Sequence, residues 1–120
     1  MLKPGDEVIS TNDLYGGSYR LFTKIFEPLG VKFHFVGMGN AKKVADYVNE
    51  NTKIIWVESP TNPMMNIIDI KAVSKVAKAA NALLVVDNTF ATPYLQRPLE
   101  LGADIVMHSA TKYLGGHSDV

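Results

Sequence analysis

The chain is 120 residues long, about one domain's worth, and its twelve basic and twelve acidic side chains balance. Nucleic-acid-binding proteins usually carry a basic surplus, so this balance points away from them. The absence of cysteine excludes disulfides, thiol nucleophiles and cysteine metal sites, and fits a reducing compartment such as the cytoplasm.

At 47% hydrophobic and 20% charged residues, the composition is that of a globular protein able to bury a core. No apolar run approaches the ~20 residues of a membrane span, and Met1 to Val8 lack the apolar centre of a signal peptide.

Pro4-Gly5 makes an entry turn, and Asp6 to Thr11 reads as a short strand centred on Val8 and Ile9. A loop follows from Asn12 to Gly17. Ser18 is then expected to cap a helix whose apolar positions, Leu21, Phe22, Ile25, Phe26 and Leu29, keep helical spacing until Pro28 and Gly30 end it. Val31 to Val36 alternates like a strand, and Asn40 opens a helix with Val44, Ala45 and Val48 on one face. Lys53 to Glu58, KIIWVE, suits a strand buried on both faces. After a proline-bearing loop, Ser59 to Asn66, Asp69 caps a helix carrying Ile70, Val73, Val76, Ala77 and Ala80, which Asn81 closes. Ala82 to Asp87 is another buried strand, a helical turn lies near Leu99, and a last buried strand runs from Ala103 to Met107.

Strands alternating with helices predict a three-layer α/β/α domain around a mostly parallel sheet. Ligands of such sheets sit beyond the C-terminal strand ends. Glu58, Asp87 and Ser109 each end or follow a strand, so they are expected to converge on one crevice.

The chemistry concentrates after the last strand. Lys112 stands among the hydroxyls of Ser109 and Thr111, ahead of Gly115 and Gly116. A desolvated lysine there can form a Schiff base with an aldehyde, and the hydroxyls can hold a phosphate. Each residue also has a plainer reading: Lys112 as a solvated lysine, Asp87 as a cap, Tyr15 as a packed loop aromatic, Asn62 as a turn residue, Ser109 and Thr111 as strand-end hydroxyls. Gly37-Met38-Gly39 lacks the third glycine of a dinucleotide fingerprint. The three histidines show no metal-ligand spacing, so no metal site is expected, and Lys42-Lys43 reads as an exposed helix face.

The run Asp104 to Ser118, DIVMHSATKYLGGHS, resembles the lysine signature of the Cys/Met-metabolism pyridoxal-phosphate enzymes, which include cystathionine gamma-synthase, cystathionine beta- and gamma-lyases and methionine gamma-lyase. The resemblance extends through DLYGGSYRLF, VESPTNP and VVDNTFATP, and so covers nearly the whole chain. It implies the large domain of the aspartate-aminotransferase-like (fold type I) architecture, with pyridoxal 5'-phosphate as cofactor. It implies that Lys112 bonds the cofactor aldehyde and later moves the substrate's alpha proton. Asp87 would pair with the pyridine nitrogen and Tyr15 stack on the ring and assist proton transfer. Asn62 would bond the ring's phenolic oxygen, Ser109 and Thr111 the phosphate, and Thr89 would lie against a ring face, with Glu58 a structural partner nearby.

The implied reaction is beta- or gamma-elimination or replacement on cystathionine or homoserine-ester substrates, in a homotetramer built from dimers that share active sites. Because Val120 directly follows the richest motif, residues 1–120 are expected to be a fragment of the cofactor-binding large domain. The N-terminal segment and C-terminal small domain would lie outside it, as would the arginine that grips the substrate carboxylate. Other readings are a different fold type I enzyme, such as an aminotransferase, or a doubly wound binding or signalling module with no aldehyde cofactor.

Overall fold

The computed structural model describes residues 1–120. Five strands form one sheet in the order β2-β1-β3-β4-β5: β1 Glu7–Thr11, β2 Lys32–Val36, β3 Thr52–Glu58, β4 Leu83–Asp87 and β5 Ile105–Met107. All four pairings are parallel. The helices are α1 Gly16–Leu21, continued by a π-helical turn at Phe22–Phe26, then α2 Ala41–Ala45, α3 Ile70–Ala79 and α4 Thr92–Leu95; a 3₁₀ turn spans Pro98–Leu101.

Register assigns the faces, because paired residues share a face and neighbours along a strand alternate. Ile9, Ile55, Leu84 and Val106 fall on one face, where they meet Val44 of α2 and Ile70, Val73 and Ala77 of α3. Val8, Phe33, Ile54 and Trp56 fall on the other, against Phe22 of the π-helical turn. Phe22 stacks on Phe33 at 4.7 Å and meets Trp56 edge-on at 5.3 Å. The sheet therefore carries helices on both faces. Ile9, Ile55, Val57, Leu84 and Val86 are fully enclosed; burying each such side chain contributes about 1.5–3 kcal/mol.

Local signals explain the helix starts. The Asn40 side chain accepts from the Lys42 N–H at 2.9 Å, and Asp69 accepts from Ala72 at 2.9 Å. Asn81 ends α3 in the left-handed region at φ 52°, a conformation asparagine tolerates better than most side chains.

Four expectations differ from the structure. The helix that Asn40 opens ends at Ala45, which is exposed, so Val48 lies outside it and Val44 alone is buried. Ser18 does not cap its helix: Tyr15 holds the N-cap position with no side-chain cap bond, and Ser18 lies inside α1. The apolar positions of that helix divide, with Phe22 buried against the sheet and Leu21, Ile25 and Leu29, on the adjoining side of the helix, exposed. The last strand is an edge strand of three residues, not a buried one of five. Ile105 is 39% exposed, since β5 pairs on one side only.

Candidate active site

The C-terminal ends of β3, β4 and β5 open onto a crevice of about 530 Å³ whose walls include Tyr15, Glu58, Asn62, Asp87, Thr89, Ser109 and Lys112. Glu58 and Asp87 are register partners, as are Asp87 and Met107, so all three project from the same face. Six of the seven expected cofactor residues thus line one cavity. Thr111 is the exception: it is half-buried and outside the lining.

Asp87 is buried and ends β4. Its Oδ1 accepts from both the Thr89 N–H, at 3.0 Å, and the Thr89 hydroxyl, at 2.6 Å. The Thr89 Oγ1 in turn accepts from the Ser109 N–H at 2.8 Å. One carboxylate oxygen is thereby fixed by its own turn, as the capping reading expected, and the same bonds tie β4 to the loop carrying Ser109 and Lys112. Asn88, fully enclosed, secures the layer beneath. Its amide nitrogen donates to the Gln96 carbonyl at 2.9 Å, and Gln96 donates back to Asn88 Oδ1 and to the Ser59 carbonyl, each at 2.9 Å.

Glu58 ends β3 and is 5% exposed. Its Oε2 accepts from the Tyr15 N–H at 2.8 Å. Burial pushes its carboxyl up to about 7; the charges of Asp87 and Asp13 act in the same direction, while the Tyr15 and Asn62 backbone N–H groups oppose it. Two acidic groups side by side on one face favour a cation beside them.

The loop bearing Asn62 is held by a residue that reading the sequence missed. Asp13 Oδ2 accepts from the Thr61 hydroxyl and from the Met64 N–H at 3.0 Å. Thr61 Oγ1 accepts from the Asn66 N–H at 2.9 Å, and Ser59 Oγ from the Ile68 N–H at 3.0 Å. Asp13 follows the end of β1, so the strand-end logic that found Asp87 would also have found it.

Tyr15 leans over Gly17: a Cβ on Gly17 would collide with the ring's Cε1. No side chain fits there while the ring keeps its place. Lys112 lines the rim but is exposed. The desolvation expected of it is not supplied by these residues; what they supply is position.

The donor set fits pyridoxal phosphate: an amine for the aldehyde, a buried acid for the ring nitrogen, a loop amide for the phenolic oxygen and a strand-end hydroxyl for the phosphate. No group of three or more His, Asp or Glu side chains is placed to hold a metal ion, and no helix is long and apolar enough to cross a membrane.

Parallel sheet and strand-end crevice are the arrangement of an α/β domain with a ligand site at its strand ends. The chain belongs to the Cys/Met metabolism PLP-dependent enzyme family, whose model matches residues 1–120. It is 52% identical over 120 residues to cystathionine gamma-lyase of Bacillus subtilis, covering all of this chain and 32% of that protein. It is 50% identical over 120 residues to a probable cystathionine gamma-synthase of Herpetosiphon aurantiacus, covering all of this chain and 38% of that protein. The crystal structure of metB from Corynebacterium glutamicum superposes with a TM-score of 0.96 at 55% identity, over 99% of this chain and 31% of that one. The chain thus spans about a third of the length of the relatives it matches.

Proposed function

We propose that the protein of which these residues form part is a pyridoxal-phosphate-dependent trans-sulfuration enzyme, acting by beta- or gamma-elimination or replacement on cystathionine or homoserine-ester amino acids. The observation that carries the reading is the meeting of Lys112, Asp87, Asn62, Tyr15 and Ser109 at one set of strand ends, from four separate stretches of sequence. When bound, the cofactor supplies an aldehyde for an amine and a ring that accepts electron density as the substrate's Cα–H bond breaks. Lys112 would hold the aldehyde end of the cofactor and, with its amine free, would accept the substrate's alpha proton on Nζ. Asp87 would keep the ring nitrogen protonated, Asn62 would bond the phenolic oxygen, and Tyr15 would stack on the ring and assist the proton's movement. Thr89 would flank the ring, and Ser109 and Thr111 would hold the phosphate.

Residues 1–120 act in this reading as part of the cofactor-binding large domain. The segments that grip the substrate carboxylate and complete the phosphate site lie elsewhere in the protein, which works in the cytoplasm as a homotetramer of dimers sharing active sites. Identity of 52% to a lyase and 50% to a probable synthase favours neither reaction. A product assay on the full-length protein, with cystathionine and with an acylated homoserine plus cysteine, separates them: thiol and keto-acid release from cystathionine defines a lyase, cystathionine formation with loss of the acyl group as its acid a synthase. Turnover of neither substrate contradicts the proposal.

A further inference from the structure

Glu58 takes no part in the chemistry above, yet it is as deeply buried as Asp87, at 5% exposure each. Its carboxylate accepts a hydrogen bond from 43 positions back along the chain, from the Tyr15 N–H at 2.8 Å, with the Asn62 backbone N–H also directed at it. Tyr15 immediately precedes Gly16 and Gly17, the most permissive pair of backbone positions available, and no side chain caps the helix they begin. Within that segment, only the bond from the Tyr19 N–H to the Tyr15 carbonyl, at 3.1 Å, fixes the Tyr15 backbone. The tether to β3 is therefore what sets the ring's place relative to the strand ends.

Building on the function proposed above, we propose that Glu58 is a positioning residue of the cofactor site, whose carboxyl ties Tyr15 to the end of β3 and so places the aromatic ring over the cofactor plane.

The location is a poor one for a residue that serves stability alone. Burial and the neighbouring Asp87 and Asp13 charges all disfavour its ionised form, so a charge held at this position is costly. An acid retained there fits a stability cost tolerated for site geometry.

The test uses the full-length protein with Glu58→Gln and Glu58→Leu, read by pyridoxal phosphate affinity, by circular dichroism of the bound cofactor in the visible, and by apoprotein melting. Gln keeps an oxygen that accepts the Tyr15 N–H; Leu keeps volume and loses the acceptor. The expected result is that Leu melts at or above the unsubstituted temperature, weakens cofactor binding about tenfold or more and alters the visible band, whereas Gln restores both affinity and band. Leu with unaltered affinity and band overturns the inference, as does Gln failing alongside Leu. A lower melting temperature for Leu with an unaltered band assigns Glu58 to the fold alone, and overturns it too. If Leu does not fold, the Gln variant decides by the same two readouts. Failure of the unsubstituted protein to take up cofactor overturns the preceding function and this inference together; normal uptake by both variants overturns this inference only.

Discussion

Asp87 is one carboxylate with two separable duties. Through Oδ1 it fixes its own turn to Thr89; in the proposed reaction its charge holds a proton on the cofactor ring. Asp87→Asn keeps the shape and can keep an oxygen toward Thr89, but removes the charge. The full-length variant should bind cofactor and lose about 10² or more in turnover, the scale on which a key electrostatic group acts; steady-state kinetics with spectral titration check this. Gly17 offers a purely steric counterpart. A methyl group on its Cα would overlap the Tyr15 ring, so Gly17→Ala should displace the ring, and the visible dichroism of bound cofactor should change while far-ultraviolet dichroism does not. At this scale the convergence was legible: Glu58, Asp87 and Ser109 line one crevice, as strand-end reasoning expects, and Lys112, Asn62 and Tyr15 line it with them. Lys112's exposure and Thr111's position outside the lining were not legible, because each depends on how a glycine-flanked loop lies, which residue type does not determine.

Among the elements, the apolar runs identified β3 and β4, and the capping side chains of Asn40 and Asp69 identified α2 and α3. In each case a short-range rule decides the outcome. The failures are positions where a neighbour decides it. Ser18 has the chemistry of a cap, but Glu58, 43 positions beyond Tyr15, takes the Tyr15 N–H and the helix begins at Gly16. Ile105 reads as buried until β5 proves to be an edge. The β1–β2 seam permits a test by acid. Glu7 accepts from the Asn49 amide at 2.8 Å and from His34, with Lys32 nearby, and the Asn49 bond is the largest cause holding its carboxyl below the usual range. A depressed carboxyl binds fewer protons folded than unfolded, so its stabilisation is present above the ordinary pKa of about 4.5 and lost as pH falls through the lower folded value. Glu7→Gln should lower the melting temperature near pH 7 by several degrees and flatten the acid side of the stability curve, as thermal scans from pH 7 to 3 measure.

As a whole, the chain has a radius of gyration of 13.8 Å, against about 13.6 Å for a compact domain of this length. Its surface is less complete than its core. The outer edges of β2 and β5 are unpaired, and Tyr94, Leu95 and Ile67 are 89%, 75% and 70% exposed. Open strand edges beside apolar surface promote association. The isolated 120 residues should therefore aggregate or fold only partly, and should be silent with cystathionine, since positioning supplies ~7–11 kcal/mol of a typical barrier. Sedimentation and a turnover assay on the isolated chain check both parts; a soluble monomer with ordinary enzyme turnover contradicts them. The reading as a whole rests on a single amine. With full-length protein and pyridoxal phosphate, borohydride reduction followed by peptide mapping should find the reduced cofactor on Lys112 and on no other lysine, and Lys112→Ala should abolish the label and nearly all turnover. Label spread evenly over surface lysines, or persisting in Lys112→Ala, would contradict the account.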